Sequence, residues 1–121
     1  MSKKFLLIMS MVVIGSMLFA ACGPTAEEEA VYVCQITDTG GIDDKSFNQT
    51  AWKGIEDAEE ELGIRSNYLE SQEVADYEKN LNAFQEEGCD LIITVGFLIG
   101  DATAAAAAAN PDIYYSIVDF A

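Results

Sequence analysis

From residue 31 onward, hydrophobic positions switch between compact runs and a three-to-four-residue period. "VYVCQIT" (31–37) is a short apolar run rich in β-forming residues and predicts a buried strand. Phe47, Ala51, Ile55, Ala58 and Leu62 then recur at spacings of four, four, three and four, which is one face of a helix that Gly63 ends. "IRSNYLES" (64–71) reads as a second strand. Val74, Tyr77, Leu81 and Phe84 mark a second helical stripe, closed by Gly88. "CDLIITVG" (89–96) is apolar on both faces and predicts a central strand. Asp101 can cap a short helix reaching Asn110, with Pro111 stopping it. Its six-alanine run needs no further explanation, because alanine is the best helix former. "IYYSIVDF" (113–120) is a fourth strand.

The order β-α-β-α-β-α-β with short links predicts an α/β fold with a parallel sheet and helices on both sides. Parallel strands need crossovers, and these are right-handed. The expected strand order is 2-1-3-4, the flavodoxin-like arrangement. The fourth strand runs to Ala121 with no covering helix and no polar tail, so residues 31–121 read as an incomplete lobe of something longer.

The first thirty residues follow another pattern. Lys3 and Lys4 precede the uninterrupted apolar run "FLLIMSMVVIGSMLFAA", which ends in small residues just before Cys22. That layout predicts an export signal over 1–21 rather than a retained spanning helix, since no basic stop-transfer segment follows. "LFAAC" resembles a bacterial lipobox, in which the cysteine becomes the lipid-carrying first residue of the mature protein; Phe19 stands where leucine is usual. Residues 22–30, polar and short, then read as a tether between lipid and folded domain.

Charge narrows the partners. The 121 residues carry a net charge of -15, and two of the six cations, Lys3 and Lys4, lie in the acid-free leader. So acidic a surface disfavours nucleic acid, whose binding needs cationic contacts. The acids at 56–61 and 86–87 are expected to form solvated helix faces. With no histidine, and Cys22 assigned to lipidation, a His/Cys metal site is excluded within the chain. Cys34 and Cys89 fall on neighbouring strands about three residues apart in register. That is roughly 10 Å at strand rise, too far for a bridge, so both are expected to be buried free thiols.

In such sheets ligands sit beyond the carboxyl ends of the strands, at the switch point between strands one and three. The chain places Asp38, Gly40 and Gly41 after the first strand, Gly96 and Phe97 after the third, and Asp119 near the end of the fourth. Glu70 at the end of strand two superficially completes a dinucleotide site, but "TDTGGIDDKS" lacks the G-x-G-x-x-G spacing. Asp43 and Asp44 would oppose a pyrophosphate at the helix amides, and no P-loop or EF-hand spacing exists. These two acids are expected to cap the helix. An acidic metal pocket is not expected either, since "VGFLIG" ends the third strand with no acid at its tip. Catalysis has no histidine base and no G-x-S-x-G elbow, although Asp38 and Asp119 could do acid/base work. Phe47 begins the first helix facing the strand tips, and Phe97 lies across the same crevice unless it is a core aromatic. A flat ring beside carboxylates and the Asn48 amide suits a neutral, planar, hydrogen-bonding ligand.

"TDTGGIDDKSFNQTAWKGI", "VGFLIGDATAAAAAANPD" and "YSIVD" resemble segments of the basic membrane protein family, the PnrA-like substrate-binding lipoproteins of ABC importers. The resemblance implies the N-terminal lobe of a type I periplasmic-binding-protein fold, with purine nucleosides captured between two lobes and delivered to a membrane permease and its ATPase. By position it implies that Phe47 stacks on the base and that Asp38, Asn48 and Asp119 hydrogen-bond to base or sugar, with Phe97 nearby. It implies no cofactor and no enzymatic activity. Further contacts would come from the second lobe, and the protein would sit lipid-anchored on the outer face of the cell membrane. Other readings are a receptor for another small polar ligand such as a sugar, a lipoprotein sensor, or an exported hydrolase.

Overall fold

The computed structural model describes residues 29–120; the predicted signal, Cys22 and most of the tether lie outside them. Strand β1 (Tyr32–Ile36) leads into helix α1 (Phe47–Leu62), β2 (Arg65–Leu69), α2 (Asp76–Glu87) and β3 (Leu91–Val95). A single 3-10 turn (Phe97–Ile99), α3 (Gly100–Ala109) and β4 (Tyr114–Val118) complete the order. All three strand pairings are parallel, and the sheet order is β2-β1-β3-β4, the expected 2-1-3-4. No helix among the described residues is long and apolar enough to cross a membrane.

Alternation along β1 explains the two layers. Cys34 and Ile36 point to one face and join Tyr77, Leu81 and Phe84 of α2, Ile92 of β3, and Ile99 in one buried cluster. Ala102 and Ala106 of α3 pack on the same cluster, their small side chains letting that helix lie close. Val33 and Gln35 point to the other face, where α1 sits with Ile55 buried and the Asn48 carbonyl bonded to Gln35. Tyr115 and Ile117 of β4 turn toward the α2–α3 cluster, so Tyr114, on the opposite side, is 76% exposed. The acids of α1 at 56, 57 and 59–61 are all exposed, as are Glu86 and Glu87, in keeping with solvated faces.

Element ends differ from expectation where local chemistry intervenes. The second helix begins at Asp76, not Val74; the Asp76 carboxylate accepts from the Gln72 and Glu73 amides and turns the chain before it, leaving Val74 59% exposed. Asp101 does not cap the third helix but lies inside its first turn. The Phe97–Ile99 turn winds the chain first, and the Thr103 hydroxyl donates back to the Ile99 carbonyl (2.9 Å) while meeting Thr94 of β3 (2.8 Å).

The expectation of two free thiols is wrong: Cys34 and Cys89 form a disulfide, with Cα atoms 6.1 Å apart. The register estimate itself holds, since Cys34 pairs with Ile92, three residues beyond Cys89. What differs is the path of the chain. Cys89 precedes β3 and follows Gly88, whose left-handed φ of 79° ends α2, and its amide donates to the Phe84 carbonyl (3.1 Å). The turn thus folds Cys89 over the sheet face where Cys34 points, rather than extending it along the strand.

Candidate functional site

The tips of β1, β3 and β4 meet at one end of the sheet. Asp38 follows β1, and its Oδ1 accepts from the Gly40 amide (2.9 Å) and from Asn48 Nδ2 (2.9 Å). Its Oδ2 lies against Gly96 after β3: a Cβ placed on Gly96 would stand 2.5 Å from that oxygen. Gly96 in turn donates its amide to the Val118 carbonyl (2.9 Å), tying β3 to the β4 tip from which Asp119 emerges. Asp119 is exposed and has φ 64°; Lys45, on the β1–α1 loop, has φ 55°. Such left-handed, non-glycine residues cost energy and concentrate where a loop must hold a specific shape.

The β1–α1 loop is fixed by carboxylates from two directions. Glu70, at the end of β2, accepts from the Ile42 amide (2.7 Å), so the acid that superficially completes a dinucleotide site in the sequence instead clamps the loop. Asp44 caps α1: Oδ1 accepts from the Ser46 (2.8 Å) and Gln49 (3.1 Å) amides, and Oδ2 from the Asn48 amide (3.1 Å). Desolvation pushes its carboxyl up, but the Gln49, Ser46 and Asn48 donors outweigh this and hold it below its ordinary value of 3.8. Asp43, expected to share the capping, stands instead on the outer flank of α1 beside Trp52 and Lys53. A depressed folded pKa gives stability that is complete above the unfolded pKa and lost as pH falls through the folded one. Asp44→Ala should therefore cost about 0.5–2 kcal/mol at neutral pH, and little once the Asp44 carboxyl is protonated in folded and unfolded chain alike. Urea midpoints of the two proteins at neutral and strongly acidic pH check this; a pH-independent gap would contradict the capping role.

Of the predicted site residues, Asp38, Phe47, Gly96 and Asp119 gather at this end. Phe47 is 53% exposed and lines an open depression of about 380 Å³ with Ser46, Thr50, Ala51 and Val118. Phe97 is 61% exposed and stacks on Phe120 with ring centroids 5.5 Å apart. Asn48 is 1% exposed, with its amide committed to Asp38, so it sits beneath this surface. A larger open depression, about 550 Å³, flanks α1, lined in part by the packed pair Trp52 and Tyr68. Most of its walls are solvated surface side chains such as Gln49, Lys53 and Glu56.

Sequence reasoning did not connect Gln35 or Tyr77 with Asp38. Tyr77 is 2% exposed; burial pushes its phenol up, and the Asp38 charge adds to that. Gln35 was visible as the one polar residue inside "YVCQI". Among the described residues no three His, Cys, Asp or Glu side chains gather as a metal site. An acceptor-rich floor beside exposed rings can hold a neutral ligand that offers N–H or O–H donors and a flat face, and it repels anions.

A parallel α/β sheet whose strand tips carry an anchored carboxylate and exposed aromatic rings is the architecture this chain shares with one lobe of solved solute-binding proteins. The chain belongs to the family described as "ABC transporter substrate-binding protein PnrA-like", whose model matches residues 31–120. It is similar to the CD4+ T-cell-stimulating antigen of Listeria monocytogenes, at 34% identity over 97% of this chain and 37% of that protein. It is also similar to the ABC transporter nucleoside-binding protein BmpA of Lactococcus lactis, at 38% identity over 69% of this chain and 25% of that protein. A solved solute-binding protein of an ABC transporter system from Aeropyrum pernix superposes with a TM-score of 0.69 at 36% identity. That match covers 75% of this chain and 25% of the other. The chain thus spans only part of the length of these relatives, 37% in the Listeria case and 25% in the other two.

Proposed function

We propose that this chain forms one wall of a purine-nucleoside cleft in a substrate-binding lipoprotein that serves an ABC importer. The observation that carries the reading is the anchored Asp38: one carboxylate oxygen is held by Gly40 and Asn48 and the other lies against Gly96, with Phe47 exposed at the same end. The base stacks on Phe47. Asp38 accepts from its N–H groups, Asp119 takes sugar hydroxyls, and Phe97 with Phe120 closes the rim. Asn48 acts from beneath, through Asp38. The nucleoside-binding relative from Lactococcus lactis supports this ligand class. Delivery is to a membrane permease with its ATPase, and the chemistry of the ligand does not change.

The protein works outside the cytosol, tethered through Cys22. A buried disulfide supports this, because such bonds form and persist in oxidising compartments.

NMR titration of the chain with adenosine, guanosine, inosine, uridine, free purines and hexoses tests the ligand, since it detects even millimolar binding by one wall. Nucleosides are expected to shift amides of 38–48 and 96–97 while hexoses do not. Phe47→Ala should weaken nucleoside binding by about 10–100-fold, the range for loss of one base–aromatic stack. Shifts with hexoses alone would replace the ligand class; hydrolysis of the bound nucleoside would make the protein an enzyme.

A further inference from the structure

Gln35 is a polar residue where the sheet needs an apolar one. It sits in the middle of β1, a central strand, and is 0% exposed. Its Nε2 donates to the Asn48 carbonyl (2.9 Å), while its Oε1 is buried without a partner. Asn48 repeats the pattern: Nδ2 donates to Asp38, and Oδ1 is buried and unpartnered. Two of the three buried side-chain polar atoms left unpaired among the described residues therefore lie on one relay, Gln35 to Asn48 to Asp38.

The relay is poorly explained as a stabilising device. An unpaired buried carbonyl costs more than an ordinary hydrogen bond returns. The acceptor that Gln35 uses is also not in need, since a carbonyl in the first turn of a helix already receives the amide four residues on. What the bond does is join two elements. It locks the first turn of α1, which carries Phe47 and Asn48, to the strand that leads to Asp38. Asn48 cannot reverse its amide without setting its carbonyl against the Asp38 carboxylate, so its orientation and that of Asp38 are coupled.

We propose that Gln35 is a positioning residue of the binding site: it sets the distance between the helix bearing Phe47 and the carboxylate of Asp38, and so the spacing between the stacking ring and the hydrogen-bond acceptor. The proposal rests on the nucleoside reading only for what fills that spacing. It assigns Gln35 to specificity for ligands whose donor edge and flat face are held together rigidly, as in a fused heterocycle.

Gln35→Leu tests it in the intact chain, with three readouts. The unfolding midpoint should stay level or rise, because an unpaired carbonyl is replaced by a well-packed apolar group. The side-chain amide protons of Asn48, buried and bonded to Asp38 in the parent protein, should exchange at least about tenfold faster in the variant and shift, because the helix turn that positions them is released. Nucleoside affinity should fall about tenfold or more, the usual result of loosening a group that orients a ligand-contacting residue. Gln35→Glu gives a second, independent variant: below the carboxyl's titration it again offers a donor to the Asn48 carbonyl, and the Asn48 amide signature should return as pH falls. Unchanged Asn48 exchange in Gln35→Leu would overturn the positioning role, as would full affinity in that variant. If the parent protein binds no nucleoside but the Asn48 signature responds as stated, the relay stands and the ligand assignment falls.

Discussion

Replacing Cys34 and Cys89 together by alanine is expected to lower the stability of the chain by about 4 kcal/mol and its melting temperature by about 15–30 °C. The bridge closes a loop across a sequence separation of 55, which removes much freedom from the unfolded chain. Both cysteines are buried, at 0% and 2% exposure, and lie within the main cluster, so the native state also loses packing on substitution. The bond links the middle of β1 to the turn between α2 and β3, and so holds the α2 layer on the sheet. Melting curves of the parent protein with and without a thiol reductant isolate the contribution of the bridge, because the reduced cysteines keep their packing. Equal midpoints in the two conditions would mean that the bridge contributes nothing.

Gly96→Ala should be the most damaging single methyl that can be added at the candidate site. Gly96 has φ 104° and ψ 152°, a region that only glycine occupies freely, and enforcing it on alanine costs about 1–3 kcal/mol. The added methyl also meets Asp38, whose Oδ2, Cβ and Cγ all lie within 2.9 Å of the Cβ position. Asp38 belongs to a loop clamped by Glu70 and Asn48, so it cannot retreat without breaking the Ile42 or Asn48 contacts. Loss of nucleoside binding beyond detection is therefore expected together with a lower urea midpoint. A variant that kept both the parent midpoint and the parent affinity would refute the close approach.

These two sites differ in how far they could be read from the chain. The bridge was hidden because strand arithmetic measures distance along the sheet, whereas the turn after Gly88 carries Cys89 above it. The glycine at 96 was legible as a position at the switch point, but not as a contact with Asp38, which is 58 residues away in sequence. Asp44 could be read as a helix cap from its place before "KSFN", yet nothing in the sequence separated it from Asp43. Only the left-handed Lys45 and the loop path decide which of the two meets the helix amides.

Asn48 illustrates the same limit. Its neighbours in sequence mark it as part of the site surface, while the fold buries it and commits its amide to Asp38. Gln35, a lone amide in an apolar strand, was an anomaly in plain view whose meaning depended on what α1 set against it.

Hydrophobic period and helix-ending glycines by themselves determined the seven main elements, the parallel order and the end of the sheet where Asp38, Gly96 and Asp119 meet, because these follow from local patterns and from the handedness of crossovers. The tertiary structure alone decided which cysteines join, which carboxylate caps, clamps or stays open at the strand tips, and which amide supports another. Those outcomes turn on ångström-scale approaches between residues far apart in the chain. No local pattern encodes them, since turns can move a side chain across a face without altering the order of elements.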